Sequence, residues 1–173
     1  MSSPDFYAQT VTEDLATCDV VSLIPPLRAY ARALTRNSVD ADDLVQETLC
    51  KALANLHRFQ PGTHLRAWLF TIMRNTFYTR AGQARREVTG GADCISGTLV
   101  SQPTQEWSVR GKELMAAVSR LPVHYRETLV LVVMLGESYE TAASIFGCTV
   151  GTIKSRVNRA RGMVRQDLGD HGV

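Results

Sequence analysis

The chain has 173 residues with a net charge of +2, and 45% of them are hydrophobic, which fits one ordinary domain or two small ones and excludes wholesale disorder. No apolar run approaches the ~20 residues of a membrane-spanning helix, and the first 15 residues lack the basic and apolar segments of a secretory signal. The four cysteines lie far apart without a Cys-x-x-Cys pair, so we expect no disulfide framework, no bound metal and a cytoplasmic location.

Three amphipathic helices are predicted in the first half of the chain, and we expect them to form one compact unit over residues 15–88. A pair of prolines suits the start of the first helix, and Asn37-Ser38 ends it. The second helix begins near Asp40, where acidic side chains satisfy free backbone N–H groups and oppose the helix dipole. After a Pro-Gly turn, the third helix runs from about Thr63. The expected inward-facing residues, helix by helix, are Leu27, Tyr30, Ala31 and Leu34, then Val45, Leu49, Ala52, Leu53 and Leu56, then Leu65, Trp68, Leu69, Ile72, Thr76 and Phe77.

A segment with almost no charge follows and predicts a flexible linker. Residues 89–105 are rich in glycine, serine and threonine, and the 20 residues from 87 to 106 can reach at most ~66–72 Å. The linker separates the first unit from a second unit over residues 106–168. Short tails are expected at residues 1–14 and 169–173.

The second unit is also predicted to be helical. Leu129 to Leu135 are seven apolar residues in a row, and periodicity alone would allow them to form a strand. We predict a buried helix, because the polar residues 124–127 lead into the run without a turn and no second strand exists to pair with it. Pro122 suits the start of this helix. The helix before it is indicated by Trp107, Leu114, Val118 and Leu121.

A helix-turn-helix is predicted at the end of this unit. Ser138 is a suitable N-cap for one helix, Gly147 can adopt the left-handed conformation that ends it, and a second helix opens near Val150. The buried stripes of the two helices are Tyr139, Ala142, Ala143 and Phe146, then Ile153, Val157, Ala160, Val164 and Leu168. The opposite face of the second helix carries short polar and basic residues, which favours insertion into a DNA major groove over a merely solvated basic surface: Gly151, Ser155, Asn158, Arg159 and Gly162.

The charge distribution supports contacts with a polyanion and with a second kind of partner. Residues 1–50 carry eight acids and three bases, whereas residues 51–90 carry seven bases and one acid. Residues 150–166 hold five lysines and arginines and no acid. Two basic blocks predict two nucleic-acid contacts. Aromatic residues interleaved with arginines on the third helix suit single-stranded DNA. The acids on the second helix form either a soluble helix end or a docking face for a basic surface.

Three blocks of sequence carry a clear resemblance to bacterial sigma factors. DADDLVQETLCKAL (40–53) resembles the conserved helix of region 2, RAWLFTIMRNTFYTRAGQARR (66–86) resembles the promoter-melting helix that follows it, and LPVHYRETLVLVVMLGESYETAASIFGCTVGTIKSRVNRAR (121–161) resembles region 4. The chain is thus similar to the extracytoplasmic-function (ECF) group of the sigma-70 family, and most similar to its alphaproteobacterial general-stress-response subgroup. One departure is that residues 149–152 lack the proline that many members have before Gly-Thr.

The resemblance implies an all-α protein of two small domains, region 2 and region 4, joined by the linker. It implies a protein that binds core RNA polymerase, directs it to promoter DNA and is controlled by an anti-sigma factor in a stress response. It implies no enzymatic activity and no cofactor. By motif position, the polymerase-docking residues are Asp43, Leu44, Gln46 and Glu47; the −10 contact residues are Phe59, His64, Arg74, Asn75, Tyr78 and Arg80; and the −35 contact residues are Thr152, Lys154, Ser155, Asn158 and Arg159.

Other classes of protein fit the sequence less well. A sigma-like decoy, which binds an anti-sigma factor without binding DNA, could lose the bases of the last helix, but this chain keeps them. A dimeric helix-turn-helix repressor would need a dimerisation helix and would have no use for the DDLVQE block. A nucleic-acid enzyme would need a catalytic constellation, and the sequence offers none.

Overall fold

The computed structural model of the protein describes residues 20–59, 64–88 and 109–170. All regular secondary structure in these three ranges is helical, which confirms the predicted all-α class. The predicted linker at residues 89–105 and the N-terminal tail at residues 1–14 lie outside the described residues.

Within residues 20–59 and 64–88, the first unit contains a short helical segment at 20–22 and three longer α-helices. Helix α1 spans Ile24–Thr35, α2 spans Ser38–Ala54, and α3 spans Leu65–Val88, with a short 3₁₀ turn at Leu56–Arg58. Prolines occupy the first turn of α1, as expected from their fixed φ and missing N–H group.

The second unit contains four α-helices. Helix α4 spans Val109–Arg120, α5 spans Val123–Leu129, α6 spans Tyr139–Phe146, and α7 spans Val150–Asp170. Helix α5 continues directly into a π-helical turn at Val130–Met134. The apolar run is therefore helical, as predicted, although most of it is wound as a π-helix. It is buried only in its first half, since Val133 and Met134 are 46% and 47% exposed.

Helix ends follow the local chemistry of the sequence. The side chain of Asn37 accepts a hydrogen bond of 2.9 Å from the backbone N–H of Val39, so α2 begins at Ser38 and not near Asp40. Ser138 caps α6 by accepting a hydrogen bond of 3.0 Å from the N–H of Thr141. Gly147 ends α6 with a φ of 61°, in the left-handed region that glycine adopts without strain.

Replacing Asn37 with alanine should lower the free energy of unfolding by about 1 kcal/mol, because the N-terminal turn of α2 loses its side-chain acceptor. Urea denaturation followed by circular dichroism measures this loss. Asn158→Ala is the matched control, since Asn158 is exposed in the middle of a helix, where alanine is the better helix former and should leave the unfolding midpoint unchanged or slightly higher. Equal midpoints for the two variants would refute the capping role.

The predicted stripes agree with the observed core in most positions. Tyr30 and Phe70 stack edge to face, with ring centroids 5.1 Å apart, at the centre of the first unit. One prediction was wrong: Leu53 is 55% exposed. The remaining members of the predicted stripes are buried or half-buried wherever the structure describes them.

The two units pack directly against each other. Arg126 on α5 is 4% exposed, and its guanidinium donates hydrogen bonds to the backbone oxygens of Ala33 and Leu34 at the end of α1. These oxygens belong to the last turn of α1, whose carbonyl groups lack partners within the helix and carry the negative end of its dipole. In return, Arg36 donates a 2.9 Å hydrogen bond to the backbone oxygen of Leu121. Backbone groups of each unit are thus satisfied by arginines of the other.

A second set of contacts joins α3 to the turn that precedes α6. The guanidinium of Arg66 donates a hydrogen bond of 2.5 Å to the backbone oxygen of Leu135. Its Nε atom lies 2.5 Å from a carboxylate oxygen of Glu137. The packing of the units therefore involves α1 and α3 on one side and α5, α6 and the α5–α6 connection on the other.

Candidate functional site

The acidic face of α2 is only partly available to a partner. Asp43 and Gln46 are exposed, Glu47 is half-buried, and Leu44 is completely buried in the core. Leu44 therefore supports this face from beneath. Asp42, next to this set, forms an ion pair of 3.1 Å with Arg28 on α1.

Glu47 joins the acidic face of α2 to the basic face of α3. One of its carboxylate oxygens lies 2.6 Å from Nζ of Lys51, and the other is paired with the guanidinium of Arg80. The hydrogen bond from Lys51, with the added charge of Arg80, lowers the pKa of Glu47 below its ordinary value. Lys51 also donates a 3.2 Å hydrogen bond to the hydroxyl of Thr76. Glu47, for which the resemblance implies polymerase docking, thus binds Arg80, for which the resemblance implies −10 contact.

The −10 residues on α3 divide between two faces of the helix. Arg74 and Tyr78 lie one turn apart and both face α5 of the second unit. Asn75 instead lines an open groove between α2 and α3, together with Asn55, Arg58 and Trp68. The division follows from the 100° rotation per residue, which separates position 75 from positions 74 and 78.

The segment before α3 contributes an aromatic contact and a polar side chain. The ring of Phe59 lies 5.4 Å from the ring of Trp68, centroid to centroid, beside the groove that holds Asn75. His64 is exposed immediately before α3 begins. Trp68 thus contacts Phe59 and also lines the groove that holds Asn75, whereas the side chain of Arg74 faces α5.

The side chain of Glu127 is the acceptor for both residues on the other face of α3. Arg74 Nε donates to one carboxylate oxygen of Glu127 at 3.3 Å, and Tyr78 Oη donates to the other at 3.1 Å. Glu127 has no exposed surface, and its burial raises its pKa although Arg74 and Tyr78 act in the opposite direction. Burial and the nearby Glu127 carboxylate also raise the pKa of Tyr30 well above its ordinary value.

The last helix presents its polar face to solvent. Ile153, Val157 and Ala160 are buried, as the predicted stripe requires. Thr152 is half-buried, and its hydroxyl lies 3.0 Å from that of Thr149. The remaining implied −35 residues are all exposed on the opposite side of α7: Lys154, Ser155, Asn158 and Arg159.

A shallow groove beside the start of α7 extends this polar face. His124 and Tyr125 on α5 line it together with Thr152, Ser155 and Arg159. The two α5 residues were not singled out from the sequence. Their position directly before a buried apolar run would have placed them at the surface end of the helix, where they can line a neighbouring groove.

Metal binding and membrane insertion were also considered for the parts of the chain that the structure describes. Residues 20–59, 64–88 and 109–170 contain no group of three or more histidine, cysteine, aspartate or glutamate side chains that could hold a metal ion. Within the same ranges, no helix combines the length and the apolar character needed to cross a bilayer.

Comparisons with known proteins match both units. The family model Sigma-70 region 2 matches residues 20–87, and the family model Sigma-70, region 4 matches residues 111–164. The chain is 53% identical over 143 residues to the ECF RNA polymerase sigma factor EcfG of Rhodopseudomonas palustris, which covers 83% of this chain and 79% of that protein.

Two solved structures resemble the fold to different degrees. The sigma factor RpoE, solved in complex with the anti-sigma factor NepR from Bartonella quintana, has a TM-score of 0.82 and 39% identity, covering 88% of this chain and 96% of that one. The anti-anti-sigma factor PhyR, solved with NepR from the same organism, has a TM-score of 0.57 and 16% identity, covering 88% of this chain and 51% of that one. The second likeness concerns the fold alone.

Proposed function

The chain belongs to the sigma-70 family of RNA polymerase sigma factors, and on this premise we propose that the exposed helix faces described above are its working surfaces. It binds core RNA polymerase and directs promoter-specific initiation of transcription. The observation that carries the assignment of surfaces is the exposed polar and basic face of α7, which lies opposite a fully buried apolar stripe in the region 4 unit.

We propose that Asp43, Gln46 and Glu47 dock on the polymerase, with Leu44 supporting them from the core. Exposed acids at this face suit a basic partner surface. We further propose that Asn75 in the α2–α3 groove, with Phe59, His64 and Arg80, contacts the −10 strand on one side of α3. Arg74 and Tyr78 supply a guanidinium and an aromatic ring to the same strand on the other side.

For the −35 element, we propose that Lys154, Ser155, Asn158 and Arg159 enter the major groove and that Thr152 contacts the adjoining backbone. Arginine and asparagine make bidentate hydrogen bonds to guanine and adenine edges. The short side chain of Ser155 allows close approach of α7 to the bases.

The division of the chain follows the same proposal. The matches at residues 20–87 and 111–164 support a region 2 domain over 15–88, a linker over 89–105 and a region 4 domain over 106–168. Short tails complete the chain at residues 1–14 and 169–173. The nucleotide chemistry belongs to the polymerase, so we propose that this chain is not an enzyme and acts in the cytoplasm, where the polymerase is.

We propose that an anti-sigma factor related to NepR controls the protein in a general stress response. The support is the 39% identity and 0.82 TM-score to RpoE, which was solved with NepR, and the 53% identity to EcfG. The decoy alternative is weaker, because identity to the anti-anti-sigma factor PhyR is only 16% and because the basic face of α7 is intact.

The test is DNA binding by two arginine variants of α7. Arg159→Ala should weaken binding to a −35 duplex by about 1–3 kcal/mol and relax sequence preference at one base pair. Arg165→Ala is its matched control on an exposed part of the same helix and should weaken binding to all sequences equally. It should also reduce the slope of the logarithm of the binding constant against the logarithm of the salt concentration by about one unit. Fluorescence anisotropy and run-off transcription with core polymerase measure both effects. A sequence-independent loss for Arg159→Ala would remove its role in base recognition.

A further inference from the structure

The contact between the two units engages side chains that the proposed function requires to be free: it buries most of Arg74 and binds the hydroxyl of Tyr78, which remains 36% exposed. Arg74 and Tyr78 are proposed −10 contact residues on α3 of region 2, and both bind the carboxylate of Glu127 on α5 of region 4. While the units are packed in this way, those donor atoms are occupied and cannot contact a DNA strand.

The flat face of the Arg74 guanidinium is in contact with aromatic rings as well. Its guanidinium carbon lies 4.8 Å from the ring centroid of Tyr78 and 4.8 Å from that of Phe146, which belongs to α6 of region 4. A guanidinium plane is one of the surfaces on which an unpaired base can stack. The region 4 unit therefore satisfies Arg74 in both ways that single-stranded DNA would, by an anionic acceptor and by an aromatic face.

Other contacts hold the same packing at some distance from Glu127. Arg126 binds the carbonyl oxygens at the end of α1, and Arg66 binds the backbone of Leu135 and the carboxylate of Glu137. Because these contacts lie between the same two units, breaking the pairing of Glu127 with Arg74 in solution requires separating helices that are fixed at several points.

The packed arrangement is incompatible with simultaneous contact to two promoter elements. One turn of DNA is about 34–36 Å long, and elements two turns apart require the two DNA-binding helices to be separated by tens of ångströms. In the packed arrangement, Arg74 of α3 touches Phe146, which is only four residues before the start of α7. The linker is long enough by residue count to allow the separation, at ~66–72 Å when extended.

We propose that the packed arrangement is an autoinhibited state of the free protein, in which Glu127 of region 4 occupies the −10 contact face of region 2 as an internal competitor of DNA. This inference rests on the proposed function, since it takes Arg74 and Tyr78 to be −10 contact residues. Polymerase and promoter DNA favour the separated state by the extra contacts that they make there. If the two units are separated in about one molecule in ten, the apparent affinity for DNA is about tenfold lower than the affinity of the separated state.

The first experiment measures the separation of the units with native cysteines. Cys50 is exposed in region 2 and Cys148 is half-buried in region 4. In the full chain with Cys18→Ser and Cys94→Ser, spin labels at these two positions report the distance between units by double electron–electron resonance. The parent should show one short, narrow distance distribution, and Glu127→Ala should add a broad population at longer distance. Glu113→Ala, which removes an exposed acid of region 4, is the charge-matched control and should resemble the parent.

The second experiment measures binding of a short fluorescein-labelled single-stranded DNA of mixed sequence by anisotropy. Glu127→Ala should bind about five- to tenfold more tightly than the parent, and Glu113→Ala should stay within about twofold of it. Adding Arg74→Ala to Glu127→Ala should remove the gain. Glu127→Gln, which keeps the side-chain shape and removes the charge, should shift both measurements in the same direction and provides the answer if Glu127→Ala fails to fold.

The outcomes separate this inference from the proposed function on which it rests. Parent-like distances in the Glu127 variants would overturn the autoinhibited state. Longer distances without tighter DNA binding would also overturn it, because opening would then not release a covered surface. A gain that survives Arg74→Ala would instead show that Arg74 is not a −10 contact residue, so the failure would belong to the proposed function.

Discussion

Replacing Asp43 with arginine is expected to weaken association with core RNA polymerase about 100-fold or more while leaving the fold intact. Asp43 is exposed on α2, so reversing its charge costs the folded chain little. At an interface with a basic partner, the same reversal places like charges together, which costs several kcal/mol. Biolayer interferometry with immobilised core polymerase measures the affinity, and thermal unfolding checks the fold.

The control for this variant is Glu113→Arg, an equal reversal on the exposed surface of α4. It should bind polymerase as tightly as the parent if the effect of Asp43 is local. Glu47→Lys should also abolish binding, but it is less informative because it would release Lys51 and Arg80 at the same time. Affinity for polymerase within threefold of the parent in Asp43→Arg would contradict the docking assignment.

Replacing Arg126 with alanine should lower the free energy of unfolding by about 3 kcal/mol, because buried carbonyl oxygens on both units lose their donor. The guanidinium binds Ala33 in region 2 and Ser119 and Leu121 in region 4. Burial lowers the pKa of Arg126 to about 10, so the side chain is still protonated at neutral pH and binds these oxygens as a cation.

The measurement is urea denaturation of the full chain, with Arg32→Ala as the matched control. Arg32 is an exposed arginine in the last turn of α1, so its removal deletes a similar charge from the same region without opening a buried site. The control should lose less than 0.5 kcal/mol, as is usual for surface substitutions. If Arg126→Ala also lost less than about 0.5 kcal/mol, the inter-unit hydrogen bonds would contribute little to the free energy of unfolding.

Helix ends were the most predictable part of the fold, because they depend on a few neighbouring residues. Ser138 and Gly147 act as the sequence indicates, one by accepting a backbone hydrogen bond and the other by adopting a positive φ. The start of α2 was placed two residues late, because the acids near Asp40 were given the capping role that the Asn37 side chain fills. Both choices are chemically reasonable, and only the backbone geometry distinguishes them.

The extent of each buried face was less predictable than its period. Leu53 belongs to the predicted apolar stripe of α2, yet it is 55% exposed. Periodicity identifies which residues share a face, but the extent of the covered face depends on the position of the partner helix.

The sequence could predict which residues of α3 contact DNA, but not the directions in which their side chains point. Arg74, Asn75 and Tyr78 were grouped by motif position, and the structure directs the side chain of Asn75 into a different groove from the other two. Glu127 was missed because charged residues on a predicted helix are normally solvated. Its partners lie 49 and 53 residues away, across the linker. The available signal was a charged pair leading without a turn into seven consecutive apolar residues.

The use of backbone oxygens as acceptors has a consequence for how the protein can vary. Where Arg126, Arg36 and Arg66 bind the main chain, the acceptor is present whatever side chain stands at that position. Sequence drift at Ala33, Leu121 or Leu135 therefore leaves these inter-unit bonds in place as long as the local helices persist. The arginine positions have no such freedom, because lysine offers neither the planar fork nor the reach to several oxygens at once. The inter-unit hydrogen bonds thus depend on the identity of the donors and not on that of the acceptors. A saturation library scored for folding should reject replacements of the buried Arg126, whereas the buried Ala33 and Leu121 should accept side chains that fit the core at those positions.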